Sequence, residues 1–322
     1  MIFDFDAYVT AVLWSGGEAA FVLGDGTVRW SGGAVIENHR GAALCATAGP
    51  KGSVLTGGDD GRLVRSTPDG ATELAALPRG RWVETLDASA ASGLVAFASG
   101  RELHVRDLAD PKFARTFAHE KTVAALAFEP KGRRLAAATY GGVRLWLARI
   151  AEQKPTALNY AGSHVAATWS PDGKYVVTAM QDNQLHGWRL TDGKDMRMGG
   201  YPAKPRSLAW MAGGSLLATS GANGAIVWPF TGANGPMGKE ASVIGEGGGD
   251  ALVTAVAGTP AATRLAAGFS DGRIWWADLR ASRRPSVKAE AGPPISALAW
   301  SPDGSRLAWG DEEGGAGLAE IA

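Results

Sequence analysis

Few residue patterns in this chain could carry out catalysis. Gly268-Phe269-Ser270-Asp271-Gly272 matches G-x-S-x-G, the motif in which a sharp turn presents a nucleophilic serine. That chemistry needs a strand before the serine and a helix after it, whereas short apolar stretches on both sides predict strands. Gly238-Lys239-Glu240 resembles the end of a phosphate-binding loop but lacks the Ser or Thr that would bind Mg²⁺. We therefore predict ordinary loops at both places and no catalytic residues.

Histidines and carboxylates are the residues that could bind a metal. None of the five histidines lies in an H-E-x-x-H motif or at a Cys/His spacing typical of zinc: His39, His104, His119, His164 and His186. Carboxylates recur in predicted turns, where an aspartate commonly caps its own backbone: Asp25, Asp59, Asp60, Asp182, Asp271, Asp311 and Glu312. We expect no metal and no cofactor. The alternative is that several of these carboxylates converge on one divalent ion.

Composition and charge exclude several classes of protein. The 322 residues include 32 basic and 32 acidic side chains, and a neutral chain lacks the field that attracts nucleic acid or an anionic membrane. The single cysteine, Cys45, cannot form an internal disulfide. No apolar run approaches the roughly 20 residues of a membrane helix, and no basic and apolar leader opens the sequence. We expect a cytoplasmic protein, and the excess of alanine and glycine is typical of a GC-rich bacterial gene.

Internal repetition organises the chain. Val123–Trp146, Val165–Leu190 and Ile295–Gly314 each contain short apolar stretches separated by tight turns, which predicts strands rather than helices. The turn before the third stretch recurs every 35 to 48 residues, with its second residue at Gly26, Gly61, Arg101, Gly141, Asn183, Gly224, Gly272 and Gly314. We count eight units of about 40 residues, each long enough for four strands, in a single domain over residues 1–322.

The two ends of the chain are predicted to meet. A four-stranded unit cannot bury both faces by itself, so the units should stack radially and close into a ring. The last unit, Ile295–Ala322, has only three stretches, whereas Ile2–Asp6 alternates apolar and acidic residues before the first unit begins. We predict that Ile2–Asp6 forms the fourth, outer strand of the last unit.

These units resemble the repeats of the WD-repeat family of β-propellers. Ser170–Gly173 and Ser301–Gly304 both read SPDG, which is typical of the turn between the family's first two strands. The family's structural tetrad joins a His, a Ser or Thr, an Asp and a Trp. The fifth unit has all four residues, namely His164, Thr178, Asp182 and Trp188. The other units keep only parts of the set. The resemblance implies an all-β propeller of four-stranded antiparallel blades. Our count gives eight blades, and seven, the common number in the family, is the alternative.

Eleven of the twelve tryptophans fall on predicted strands, and Trp82 does not. Four tryptophans close first strands and should pack between neighbouring blades, namely Trp14, Trp169, Trp210 and Trp300. Phe128 takes the equivalent place in the fourth unit. Trp82 instead lies in the loop that leads into the third unit, beside Arg79 and Arg81. Arg and Trp are favoured anchors of protein interfaces. Trp82 is either such an anchor or a packing residue against a neighbouring blade.

In such a propeller, the loops that lead into first strands share one face with the turns before third strands. We call this the front face, and it carries our candidates for partner binding: His39, Arg40, Arg79, Arg81, Trp82, Lys121, Lys204 and Arg206. Their positive charge predicts an acidic protein or peptide partner, and a solvated rim is the alternative. The opposite, back face carries a weaker signal for nucleic acid, a basic cluster at Arg280, Arg283, Arg284 and Lys288. A glycine-rich insertion, Thr231–Asp250, is either a functional loop or a surface excursion.

A non-enzymatic interaction scaffold is the function that these features favour. No coherent catalytic set accompanies the repeats, and a rigid framework with variable loops suits protein binding, as the resemblance also implies. We expect a monomer that binds neither membrane nor nucleic acid. The alternative is a propeller enzyme, similar to a metal-dependent hydrolase or lactonase, with a site at the central channel.

Overall fold

Short β-strands account for nearly all the regular structure in a computed structural model that describes residues 1–245, 249–281 and 286–321. The first strands in chain order are β1 (Ile2–Asp4), β2 (Val9–Ser15), β3 (Glu18–Leu23), β4 (Thr27–Trp30), β5 (Val35–Glu37), β6 (Ala43–Ala48), β7 (Val54–Gly58), β8 (Arg62–Thr67), β9 (Gly70–Ala76), β10 (Thr85–Ser89), β11 (Leu94–Ser99), β12 (Glu102–Asp107), β13 (Ala114–Ala118), β14 (Ala125–Phe128) and β15 (Arg134–Leu147). They are followed by β16 (Thr156–Trp169), β17 (Tyr175–Met180), β18 (Gln184–Arg189), β19 (Asp195–Met198), β20 (Leu208–Met211), β21 (Leu216–Thr219), β22 (Ala225–Pro229), β23 (Ser242–Ile244), β24 (Val253–Gly258), β25 (Arg264–Phe269), β26 (Ile274–Asp278), β27 (Ser286–Lys288), β28 (Ile295–Trp300), β29 (Arg306–Asp311) and β30 (Gly315–Glu320). Two single 3-10 turns, Pro50–Gly52 and Ala212–Gly214, complete the regular structure of the described ranges.

Tight turns at the predicted positions separate the strands. In the first unit the Asp25 carboxylate accepts hydrogen bonds from the Thr27 backbone N–H at 2.9 Å and from its hydroxyl at 2.7 Å. Gly26 follows with φ of 87°, and a Cβ there would collide with the backbone oxygens of His39 and Gly41. Only glycine fits this left-handed and crowded position, so the sequence fixes the place where the chain reverses.

Within the described residues the strands form seven antiparallel hydrogen-bonded sheets. Six have four strands, as predicted, and one has six, β14 to β19. The prediction of eight blades is therefore not confirmed, and the number of sheets matches the alternative of seven. The physical reason is that the fourth and fifth units share the six-stranded sheet, because β15 and β16, with 14 residues each, pair with each other as well as with β14 and β17.

The two long strands of this sheet each combine two pairing partners. The first part of β15 pairs with β14, and its second part, from Tyr140, pairs with β16. The Ala148 N–H donates to the Arg133 carbonyl at 2.9 Å, so the two ends of β15 meet and the strand folds back on itself. The first part of β16 pairs with β15, and its second part, from His164, pairs with β17.

The N-terminal strand closes the ring, as predicted. β1 pairs antiparallel with β30, with Ile2 opposite Gly317 and Asp4 opposite Gly315. The Phe5 N–H then donates to the Gly314 carbonyl at 2.9 Å. The last sheet thus takes three strands from one end of the chain and its outer strand, β1, from the other.

The core lies between neighbouring sheets rather than inside any one of them. Phe5, Phe21 and Leu23 pack with Ala308 and Ala316 in one cluster that joins the first and last sheets. Phe21 and Leu23 are fully buried, and burying a side chain of this size contributes roughly 1.5–3 kcal/mol. The strands form one continuous, closed arrangement, a β-propeller.

Side chains of the innermost strands link each sheet to the next. The predicted tryptophans pack there, and each indole N–H donates to the preceding innermost strand: Trp14 to Ala299 O at 3.0 Å, Trp169 to Ala127 O at 2.8 Å, Trp210 to Thr168 Oγ1 at 3.0 Å and Trp300 to Ala257 O at 3.0 Å. Phe128 has no such donor in its side chain. Its backbone N–H donates instead to the Asp87 carboxylate at 2.6 Å, and burial raises the pKa of Asp87 to about 6.

Candidate functional site

The front face is assembled by backbone hydrogen bonds between successive units. The loop before each first strand bonds to the turn that precedes the third strand of the previous unit. Examples are the N–H of His39 to Gly26 O at 3.1 Å, Leu77 to Gly61 O at 2.9 Å and His119 to Arg101 O at 2.9 Å. Loops and turns therefore form one continuous surface around the mouth of the channel.

The loop before β10 presents an aromatic side chain between two arginines. Trp82 is 52% exposed, and Arg79 is exposed two residues before the second arginine. Arg81 has structural contacts, since its guanidinium donates to the Glu102 carboxylate at 2.8 Å and to the Ser99 carbonyl at 2.9 Å. These contacts hold the backbone of the loop in one conformation, and the exposed Trp82 side chain extends from it.

His39 lies inside the structure rather than on the surface. Its Nδ1 is 3.0 Å from Asp60 Oδ1 and its Nε2 is 2.8 Å from Thr56 Oγ1. Burial lowers the pKa of His39, and the neighbouring Asp60 carboxylate opposes that shift. Asn38 adds hydrogen bonds to Thr56 Oγ1 at 2.9 Å and to Ser66 Oγ at 3.0 Å. The result is a buried polar network in the second unit, which has no tryptophan of its own.

Lys204 and Arg206 lie at the mouth of the channel, next to two residues that are not among the predicted partner-binding residues. Both line a cavity of about 430 Å³ together with Tyr8 and Glu312. Lys204 Nζ donates to Gln181 Oε1 at 2.9 Å, whereas the Arg206 side chain is exposed. Tyr8 is 44% exposed, and partial burial together with the Glu312 charge raises its pKa. The signal in the sequence is that Tyr8 directly precedes β2, just as other front-face residues precede their first strands.

A second front-face cavity lies over the fourth unit. It has a volume of about 270 Å³, and Lys121, Tyr140 and His119 line it. Tyr140 occupies the turn where the family tetrad has its Asp, and it is 64% exposed. His119 accepts a hydrogen bond from the Trp146 indole at 3.2 Å. Burial, followed by the Arg144 charge, lowers the pKa of His119 to about 4, so the ring is neutral at physiological pH. Arg40 is also exposed, in the loop before β6.

The predicted tetrad of the fifth unit comes together only in part. His164 Nδ1 is 2.7 Å from Thr178 Oγ1, and its Nε2 is 3.1 Å from the Tyr160 carbonyl. Asp182 is exposed on its turn, and in the part of the chain that the structure describes its carboxylate has no hydrogen bond. His186, which sequence reasoning did not single out, packs edge-on against Trp188 at 4.7 Å.

His186 is the least well paired group of this cluster. Its ring stacks on Tyr160 at 3.5 Å, and both ring nitrogens are buried without a hydrogen bond. Nε2 is 3.1 Å from Asp195 Oδ2 but lacks the geometry of a hydrogen bond. Burial lowers the pKa of His186 to about 4, although the Asp195 charge acts in the opposite direction.

The sixth unit builds a related network around a tyrosine. The Trp228 indole donates to Tyr201 Oη at 2.7 Å, and Tyr201 Oη is 2.7 Å from Thr219 Oγ1. Burial raises the pKa of Tyr201 to about 12, so the hydroxyl keeps its proton. Tyr201 thus takes the place that a histidine has in the fourth unit.

Comparisons with known proteins agree with this geometry. The family model described as "WD domain, G-beta repeat" matches residues 111–146 and 159–189. Two stretches of the chain thus match the WD-repeat model, and the fold is a β-propeller. Its fold is similar to that of the computationally designed Ika8 protein, with a TM-score of 0.77, 17% identity, and coverage of 99% of this chain and 98% of that chain. It is also similar to a chain from a crystal structure of the mitotic checkpoint complex, with a TM-score of 0.68, 18% identity, and coverage of 100% of this chain and 91% of that chain.

The described residues of the propeller offer no assembled metal centre. Within residues 1–245, 249–281 and 286–321, no three His, Cys, Asp or Glu side chains form a group that could bind a metal ion. Asp271 and Asp60, two of the turn carboxylates, instead accept hydrogen bonds from the N–H groups of their own turns. In the same ranges, no helix is long and apolar enough to span a membrane.

The remaining candidates of the propeller lie apart from one another. Lys288 donates to the Gly272 carbonyl of a front-face turn at 2.9 Å, whereas Arg280 follows β26 on the back face. Arg283 and Arg284 lie outside the described residues. The first part of the insertion Thr231–Asp250 packs on the fifth unit. There, Arg189 donates to Asn234 Oδ1 at 2.8 Å, while residues 246–248 are outside the described ranges.

Proposed function

We propose that this WD-repeat β-propeller is a non-enzymatic scaffold whose front face binds a protein or peptide partner. The observation that carries the proposal is the exposed Trp82, held on a fixed loop beside Arg79. A tryptophan buries a large apolar area when a partner covers it, and Trp and Arg dominate the binding energy of many interfaces. Tyr8 and Tyr140 add two further exposed aromatic rings to the same face.

The charges of this face favour an acidic partner. Four candidate cations have exposed side chains and, among the described residues, no ion-pair partner within 4.0 Å: Arg40, Arg79, Lys121 and Arg206. Since the whole chain is neutral, the attraction is local to this surface and should weaken as salt is added. His39 is buried and Arg81 is already paired, so we assign both a structural role beneath the binding surface.

We propose further that the ring contains eight repeat units, with two of them in the six-stranded sheet. Both matches to the family model end in this sheet, at residues 146 and 189. β15 folds back on itself, as the second and third strands of a blade do. The Trp169 indole donates to Ala127 O within this sheet as Trp300 donates to Ala257 O between two sheets. We expect these units to act as one monomeric, cytoplasmic domain.

The scarcity of carboxylates on the innermost strands supports a binding role over an enzymatic one. Asp87 is the one carboxylate on the innermost strands within the described ranges. Its side chain already accepts the Phe128 N–H and joins two units. A metal-dependent hydrolase would need several converging ligands.

The proposed function can be tested by quantitative affinity capture from the native host. Tagged wild-type protein is compared with the variants Trp82→Ala and Arg79→Glu. Val35→Ala is the matched control, because Val35 is also 52% exposed but lies on β5 at the outer rim. We expect both front-face variants to lose at least tenfold of a specific partner, which the control retains. Equal capture by wild type and Trp82→Ala would contradict the proposal.

A further inference from the structure

The back face contains a cleft between the second and third units that the proposed front-face function does not use. Its walls come from the turn after β6, the turn after β8, and the turns that precede β11 and follow β12. The cleft has a volume of about 560 Å³, which is within the range of small-molecule sites. Residues lining it include Lys51, Arg65, Thr67, Thr72 and Leu108.

The polar lining of the cleft consists of cations and hydroxyl groups. Lys51 and Arg65 supply two positive charges, and Thr67 and Thr72 supply hydroxyl groups. None of the described residues that line the cleft is acidic. Among the described residues, neither Lys51 nor Arg65 has an ion-pair partner within 4.0 Å. Pro50, Leu108 and Ala109 form an apolar wall beside this charge.

An equivalent cleft between the seventh and eighth units has a different lining. It is also on the back face and has a similar volume, about 540 Å³. Its arginine, Arg264, donates to the Gly304 carbonyl at 2.7 Å and lies over the Trp276 ring at 5.4 Å. Its lining also includes the carboxylate of Asp303. The arginine is thus satisfied within the protein there, whereas the cations of the first cleft remain free for a ligand.

The backbone holds Lys51 at the cleft in an unfavourable conformation. Lys51 has φ of 54° and ψ of 35°, in the left-handed region that favours glycine. The same Pro-Lys-Gly sequence occurs at Pro130–Gly132 in the fourth unit, where Lys131 does not have a positive φ. A left-handed lysine costs free energy that a glycine would not, and such strain is concentrated at functional sites.

We propose that this cleft binds a small phosphomonoester with an apolar substituent. A phosphomonoester carries a charge of about −1.5 to −2 at neutral pH, which matches the two unpaired cations. The planar guanidinium of Arg65 can bind two phosphate oxygens at once, Lys51 adds a point charge, and the threonine hydroxyls can donate to the remaining oxygen. The apolar wall at Leu108 contacts the substituent. The site is independent of the partner-binding front face.

Phenyl phosphate titrated into the full-length protein, followed by calorimetry at low salt, tests the proposal. We expect saturable binding with Kd below about 1 mM, weaker binding of inorganic phosphate, and no binding of phenol. Arg65→Gln should raise Kd at least tenfold. Lys51→Gly should do the same while leaving the thermal midpoint unchanged or higher, since glycine removes the backbone strain. Lys131→Gln, at the equivalent turn, should leave Kd unchanged.

Three results would overturn the assignment. The first is that Arg65→Gln and Lys51→Gly bind phenyl phosphate as tightly as wild type. The second is that Lys131→Gln weakens binding as much as they do, which would indicate general attraction to surface charge. The third is that benzoate binds as tightly as phenyl phosphate, because a monoanion does not match the two cations of the cleft.

Discussion

The buried polar networks of the second and fifth units differ in a way that their sequences do not suggest. The fifth unit has every residue type of the family tetrad, yet Asp182 stays exposed and His186 has two buried nitrogens without hydrogen bonds. The second unit has no tryptophan, yet both nitrogens of its His39 are paired, with Asp60 and Thr56.

The difference teaches that residue types and hydrogen-bond satisfaction are separate properties. A motif records which side chains occur, whereas stability depends on whether each buried donor and acceptor finds a partner. In the second unit Asn38 and Ser66 extend the network without a tryptophan, and one atom of it, Asn38 Oδ1, stays buried without a hydrogen bond. In the fifth unit the added histidine brings two polar atoms and no partner for them.

The largest effect is expected from removing the hydroxyl at the centre of each network. Thr56→Val leaves His39 Nε2 without its partner and removes one acceptor of Asn38, which should lower the free energy of unfolding by about 3 kcal/mol. Thr178→Val should cost about 2 kcal/mol, because the Thr178 hydroxyl bonds to one side chain, His164, whereas the Thr56 hydroxyl bonds to two. Urea denaturation followed by tryptophan fluorescence measures both. A larger loss for Thr178→Val would reverse the comparison.

A smaller effect is expected from acid, and it should be larger in the fifth unit than in the second. The folded-state pKa of His186 is lowered to about 4 from 6.5, so the unfolded chain binds the additional proton. The stability that His186 contributes is therefore complete above pH 6.5 and is lost as the pH is lowered towards 4. His186→Phe, which keeps the stacking on Tyr160, should reduce that loss by about 2 kcal/mol. Thermal midpoints recorded from pH 4 to pH 8 test this. His39→Gln should flatten the pH dependence of the thermal midpoint less, since Asp60 opposes the lowering of the His39 pKa. Identical pH profiles for wild type and His186→Phe would refute the prediction for His186.

The smallest effect compares the two turn aspartates. Asp60 accepts hydrogen bonds from His39 and from the N–H groups of Arg40 and Arg62, so Asp60→Ala should cost about 1.5 kcal/mol. Asp182→Ala should change the stability by less than about 0.5 kcal/mol, because its carboxylate is exposed. Chemical denaturation at pH 7 resolves the two values. A cost for Asp182→Ala equal to that of Asp60→Ala would mean that the tetrad closes in solution.

Turns and strands could be predicted from the sequence because their signals are local. Gly26 and Gly314 mark turns whose backbone accepts only glycine, and Ile2–Asp4 forms the predicted closing strand. The single tryptophans of the first strands also pack as expected. These features depend on a few neighbouring residues and on the period of the repeat, both of which are visible in one chain.

Contacts between strands could not be predicted in the same way. Whether His186 points into a network depends on the register of β18 against β17 and β19, which the residue pattern alone does not specify. Tyr201 replaces a histidine, so a search for the tetrad residues passes over it. The pairing of β15 with β16 likewise includes Tyr140 opposite Ser163, across an irregularity at Tyr140–Gly142 that the residue pattern does not reveal. The shared sheet of the fourth and fifth units could therefore not be predicted.

The closing strand can pair only after almost the whole propeller has been synthesised. Ile2 leaves the ribosome long before its partner Gly317, which is made 315 positions later. At about 5–20 residues per second, roughly 15–60 s pass during which that strand has no partner and its apolar side chains stay uncovered. The ring of a nascent chain therefore stays open during this time. A chaperone that covers β1 would act in this interval.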